Sequence, residues 1–159
     1  MNRRTVLGLL SLLPAAAFGQ EPDITKAQPE LPKEKLVIVG RSGEQHAFNV
    51  EVAKTPDQQT VGLMFRTSVA PDGGMLFDWG SPRESQMWMR NTLVPLDMVF
   101  INADGTIRSI AENTVPQSMA IIDSRGPVRA TLELAGGTTE RLDIRVGDKV
   151  EAKLFGNLS

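Results

Sequence analysis

The chain has 159 residues, 17 basic against 19 acidic side chains, a formal net charge of −2 and no cysteine. The missing thiol excludes disulfides, thiolate metal sites, a cysteine-borne lipid anchor and cysteine nucleophiles. A slightly acidic chain without a basic stripe is not a nucleic-acid binder.

The N-terminus reads as an export signal over residues 1–19. Arg3 and Arg4 form a basic n-region, and Val6 to Leu13 is an apolar run too short to span a bilayer. Ala15, Ala16, Ala17 and Gly19 supply small residues for cleavage before Gln20. The paired arginines fit either the ordinary or the twin-arginine route. Removing residues 1–19 leaves 15 basic against 19 acidic groups, a net of −4, and no membrane anchor. The expected product is periplasmic or secreted, with length for one domain. Residues 20–35 carry Pro22, Pro29 and Pro32 among charges and read as a flexible linker.

A single domain is expected over residues 36–155. Leu36 to Val39 is a strand-like run, and Phe48, Val50 and Val52 alternate with polar residues in the next strand. Thr55, Pro56 and Gln58 spell an N-cap, a first-turn proline and a capping box. The helix they open is amphipathic, with Val61, Met64 and Phe65 on the face that packs on the sheet. Gly62 costs that helix stability, and close approach to the sheet is the compensation it predicts. Met75–Phe77, Met87–Met89 and Leu96–Ile101 read as buried strands, and Asn102–Gly105 as a hairpin turn leading into Thr106–Ala111. Ala130, Leu132 and Leu134 alternate in another strand, one helical turn is expected near Thr139–Leu142, and Lys149–Leu154 is the last strand. The prediction is a mostly β (α+β) domain whose mixed or antiparallel sheet curls toward a barrel, with one capped helix packed on it.

Residues 62–101 combine five methionines, two tryptophans and three phenylalanines with Arg66, Asp78, Arg90, Asn91 and Asp97. The motifs GLMFR (62–66), GMLFDW (74–79) and WMRNTLVPLDMVFI (88–101), with the turns at 104–105 and 147–148, resemble domain-of-unknown-function family 192. The resemblance covers about Leu36 to Leu154 and implies a mostly β fold without specifying a chemistry. Met87, Arg90 and Thr131 depart from the family pattern, and the Asn91-Thr92 and Pro95-Leu96-Asp97 core keeps it.

Three site readings follow. In the first, Asp97 at the head of an apolar strand needs partners, and Arg66 and Arg90 are the candidates. With Asn91 and Thr92 they either form a structural ion pair or build a pocket for a small anionic or sugar ligand. This non-catalytic binding or accessory role is the principal expectation, and it requires no cofactor. In the second, Glu133 between Leu132 and Leu134 has a carboxyl pKa raised by desolvation and works with Asp97 on a glycan. With no tyrosine, one histidine and no G-x-S-x-G elbow, carboxylates are the catalytic groups the chain offers. In the third, Met87 and Met89 on one face of a strand hold Cu(I) with His46. The sequence leaves the ligand, partners and oligomeric state open.

Overall fold

Apolar residues two apart set the architecture, because alternate side chains of a strand leave on opposite faces. In the computed structural model, which describes residues 21–158, seven strands carry that pattern. They are β1 (Lys33–Val39), β2 (Gln45–Ala53), β3 (Met75–Met87), β4 (Leu96–Ile101), β5 (Ile107–Ala111), β6 (Ile122–Ala135) and β7 (Lys149–Ala152). They form one sheet in the order β5-β4-β6-β3-β2-β1-β7. Its neighbours are antiparallel except β2 and β3, which run parallel and are linked through helix α1 (Pro56–Val61). The two edges meet again: the Ile107 amide donates to the Asp148 carbonyl at 2.9 Å, and Val150 donates to the Gly105 carbonyl at 2.8 Å. The sheet is a nearly closed barrel in one compact domain, as the strand pattern predicts. The signal expected over residues 1–19 lies outside the described residues.

Two apolar layers follow from the closure. Leu36, Ile38, Leu76, Val99, Leu132 and Val150 fill the barrel interior. Met75, Phe77, Met98 and Phe100 pack on the outer face of β3 and β4, where Leu63 and Met89 join them. All six residues of β4 are therefore buried, and β6 is buried on both faces from Ala130 to Leu134.

Helix α1 starts as its sequence dictates. The Gln58 amide donates to the Thr55 hydroxyl at 3.3 Å, and the Thr55 amide donates to the Gln58 side chain at 3.1 Å. It stops earlier than the apolar spacing predicts. Gly62 turns the chain with φ 50°, so Met64 and Phe65 follow in tight turns instead of a continued helix. The predicted close approach holds, since a Cβ on Gly62 would lie 3.1 Å from the Phe77 ring.

Further segments differ from the sequence reading. The separate strands expected at Met75–Phe77 and at Met87 are one β3, which runs through Gly80-Ser81-Pro82 with a register shift against β6 between Asp78 and Arg83. Met89, expected in a strand with Met87, lies past the end of β3. The segment read as a flexible linker over residues 20–35 is docked across α1 from Ile24 and enters β1 at Lys33. Gln28 donates its side-chain amide to the carbonyls of Gln58 at 3.0 Å and Gly62 at 2.9 Å, and the Leu31 amide donates to Glu51 at 2.7 Å. The Gly62 carbonyl at the helix end has no partner within the helix, and this donor from a distant segment satisfies it.

Gly62→Ala combines a left-handed backbone with contact against Phe77. It is expected to lower stability by about 1–3 kcal/mol in urea unfolding; an unchanged midpoint would mean that the turn relaxes.

Candidate functional site

β6 places the site. Its outer face carries Thr131, flanked by Phe77 and Phe100, and Glu133, flanked by Met75 and Met98. A carboxyl between two buried methionines loses its water and gains nothing in return. Glu133 is 4% exposed, and burial alone pushes its pKa from the ordinary 4.5 up to about 8. No charge or hydrogen bond among the described residues offsets that shift.

Glu133 lines a cleft of about 400 Å³ between α1 and the outer face of β3. Trp79 forms one wall, held by its indole N–H donating to the Thr131 hydroxyl at 3.1 Å and by stacking on Phe77 at 5.6 Å. The exposed Arg83 lies over the Trp79 ring at 4.2 Å, and the half-buried Arg90 lies over Trp88 at 5.5 Å. Both arginines line the cleft, and neither pairs with a carboxylate among the described residues. Gln59, Gln86 and Thr92 add hydrogen-bonding groups to the wall. The cleft thus has an uncharged acid at its buried end, indole walls, and two guanidinium groups with free donors nearer the solvent.

The expected group of Arg66, Arg90, Asn91, Thr92 and Asp97 is divided among several places. Arg90 and Thr92 line the cleft. Asn91 between them turns the chain with φ 54° and donates its side-chain amide to the Ile24 carbonyl at 3.2 Å. Arg66 pairs with Glu51 at 3.0 Å beside a second cavity of about 260 Å³, so its carboxylate partner is on β2. Asp78 pairs with Arg129.

Asp97 is fully buried without a guanidinium. Its Oδ1 accepts from the amides of Asn113 at 2.8 Å and Gly137 at 3.0 Å. Its Oδ2 accepts from the amide and the hydroxyl of Thr139, each at 2.8 Å. The arginine partners expected from the sequence are thus replaced by backbone donors, which solvate a carboxylate without bringing a second charge into the interior. Asp97 also stands apart from Glu133. In the β4–β6 register Asp97 opposes Leu134 and Met98 opposes Glu133, which sends the two carboxyls to opposite faces of the sheet. A paired-carboxylate mechanism is not assembled.

The structure likewise separates the copper candidates. Met87 and Met89 sit in the outer apolar layer, with the Met89 sulfur 3.1 Å from the Thr114 hydroxyl. His46 pairs with Ile38 at the start of β2, whereas Met87 pairs with Ile122 at the far end of β3. Its Nε2 is buried without a hydrogen-bond partner among the described residues.

Arg83, Gln86, Trp79 and Trp88 are the cleft residues that sequence reasoning missed. Their signal is a tryptophan followed by an arginine four or two residues later, masked by the turn-like Gly80-Ser81-Pro82.

Two outcomes follow. Asp97→Ala removes the acceptor of three amides, the Thr139 amide buried among them, and one of the two acceptors of the Thr139 hydroxyl, and is expected to cost about 3–5 kcal/mol in urea unfolding. A loss below about 1 kcal/mol would show that water replaces the carboxylate. Glu133 makes stability depend on pH. Its pKa is higher folded than unfolded, so between about 4.5 and 8 the unfolded chain holds fewer protons. Stability then falls as pH rises through that window, by a few kcal/mol in order of magnitude, and levels off above it. Melting temperatures across the window should decline more steeply for the native protein than for Glu133→Gln; equal slopes would refute the assignment.

Comparison with known proteins bears on the whole barrel. Residues 37–152 match the model of the family described as DUF192, Uncharacterized ACR. A solved structure from Sinorhizobium meliloti 1021, provisionally named a transcription regulator, is 50% identical with a TM-score of 0.78. The match covers 80% of this chain and 99% of that one. A protein of unknown function from Novosphingobium aromaticivorans DSM 12444 is 38% identical with a TM-score of 0.74, covering 89% and 99% of the two chains. No curated protein matches the sequence. The motifs read at 62–66, 74–79 and 88–101 all fall within the matched span, and the chain belongs to the DUF192 family.

Proposed function

We propose that this protein is an exported, non-catalytic binding domain that holds a small anionic ligand in the cleft between α1 and β3. One observation carries the reading: two arginines without carboxylate partners, Arg83 and Arg90, converge on one concave surface. Each lies on an indole, which steadies the side chain and leaves its N–H donors available. The cleft volume of about 400 Å³ suits a small molecule. Export is supported by the Arg3-Arg4 pair and the apolar run that follows it. Gln59, Gln86 and Thr92 would fix the ligand's orientation through neutral hydrogen bonds.

Other activities draw less support. A glycan-cleaving pair needs two carboxyls on one side of the sheet, and Asp97 and Glu133 lie on opposite sides. A soft-metal site needs His46 near the methionines, and the sheet register holds them apart. A nucleic-acid partner fits poorly with a net charge of −2 and a pI near 5.5.

A thermal-shift screen of small carboxylates, phosphates and sugars tests the proposal. Carboxylates or phosphates are expected to raise the melting temperature, and Arg83→Ala or Arg90→Ala to weaken binding about tenfold each. Arg66→Ala should lower stability while leaving that affinity unchanged. Stabilisation by neutral sugars alone, or binding indifferent to both cleft arginines, would overturn the assignment.

A further inference from the structure

We infer that the cleft selects a zwitterion, a small molecule whose ammonium group meets Glu133 and whose carboxylate meets Arg83 and Arg90. This rests on the reading of the cleft as an anion site and adds the ligand's second charge.

The first support is Glu133 itself, whose position the fold does not explain. It interrupts a row that runs from Met75 to Met98 across three strands, where an apolar side chain would complete the layer without a desolvation cost. Glu133 is 4% exposed and lines the cleft, and its carboxyl finds neither donor nor cation among the described residues. Asp97, one residue from the same sheet level and also buried, receives four donors. One acid is fully satisfied by the protein; the other is left for something outside it.

The second support is the order of charges along the cleft. Glu133 lies at the buried end, and Arg83 and Arg90 stand nearer the solvent. A simple anion would satisfy the arginines and leave the acid unpartnered. A simple cation would share the cleft with two guanidinium groups. A neutral sugar would compensate neither end. A ligand that carries both charges suits both groups, and the apolar Leu63, Phe77 and Met87 that also line the cleft suit connecting methylenes.

Docking has a defined proton balance. In the empty cleft near neutral pH, Glu133 holds its proton, because burial places its pKa at about 8. An arriving ammonium keeps its own protons and stabilises the carboxylate, so the Glu133 proton leaves to solvent as the ion pair forms. Arg83 and Arg90 are the other charged groups that line the cleft.

Calorimetry on the purified protein near neutral pH, in buffers of different ionisation heat, separates the possibilities. The probes are ω-amino acids from glycine to 6-aminohexanoate, with hexanoate and 6-hydroxyhexanoate as controls. At least one amino acid is expected to bind about tenfold more tightly than hexanoate and to release close to one proton. In Glu133→Gln both the tenfold preference and the proton release should vanish, while the melting temperature stays at or above that of the native protein. If hexanoate binds as well as every amino acid, the second charge plays no part: this inference falls and the anion site stands. Equal binding of 6-hydroxyhexanoate overturns it in the same way, since the buried end would then take a hydroxyl. If no probe binds, this inference falls, and the anion site stands or falls with the phosphates of the thermal-shift screen.

Discussion

A sheet buried on both faces sets the terms for this protein. Once the barrel closes and a second apolar layer forms outside it, β4 and the last part of β6 have no wet side. Any acid on those strands must be solvated by the protein, neutralised, or compensated from outside. Asp97 is solvated by the protein. Its four donors come from the segment after β5 and the turn after β6, so one carboxylate ties both segments to β4. Glu133, on the opposite face, follows the second course and holds a proton instead of a partner.

The same geometry explains where a ligand has room. The barrel interior is filled by aliphatic side chains, so space is found outside the sheet, beside the short helix α1. Because α1 stops at Val61 and Gly62 turns the chain sharply against Phe77, the helix does not cover the outer ends of β3 and β6. The register shift in β3 sets Arg83 against Trp79, and the left-handed turn at Asn91 places Arg90 and Thr92 on the same cleft. Thr131, a departure from the family pattern, anchors the Trp79 wall through its hydroxyl. Features that look like local irregularities are what shape the cleft.

The N-terminal strap shows how composition misleads when tertiary partners are hidden. Prolines and charges before residue 33 suggest a chain with too little apolar surface to dock. What holds it is hydrogen bonding together with Leu31 packed on the outer apolar layer: Gln28 donates to the Gln58 and Gly62 carbonyls, and Glu51 receives the Leu31 amide together with the Arg66 guanidinium. Those partners are between 15 and 34 residues apart in sequence, beyond any local pattern.

Legibility in the sequence follows the range of the interactions. Alternation in β2 and β6, the capping box at Thr55 and Gln58, and the tight packing of Gly62 depend on local backbone geometry, and the chain determines them by itself. So did the motifs at 62–101, which identify the family, and the apolar setting of Glu133, which follows from its leucine neighbours. Which acid meets which donor was decided only by folding. The pairing of Arg66 with Glu51 instead of Asp97, the amide cradle around Asp97, and the convergence of Arg83 and Arg90 all require strands distant in sequence to adopt one register. A shift of one residue in that register would exchange the two faces of β6 and place Glu133 inside the barrel. The site therefore belongs to the tertiary structure, because a side chain's face is set locally while its neighbours across the sheet are not.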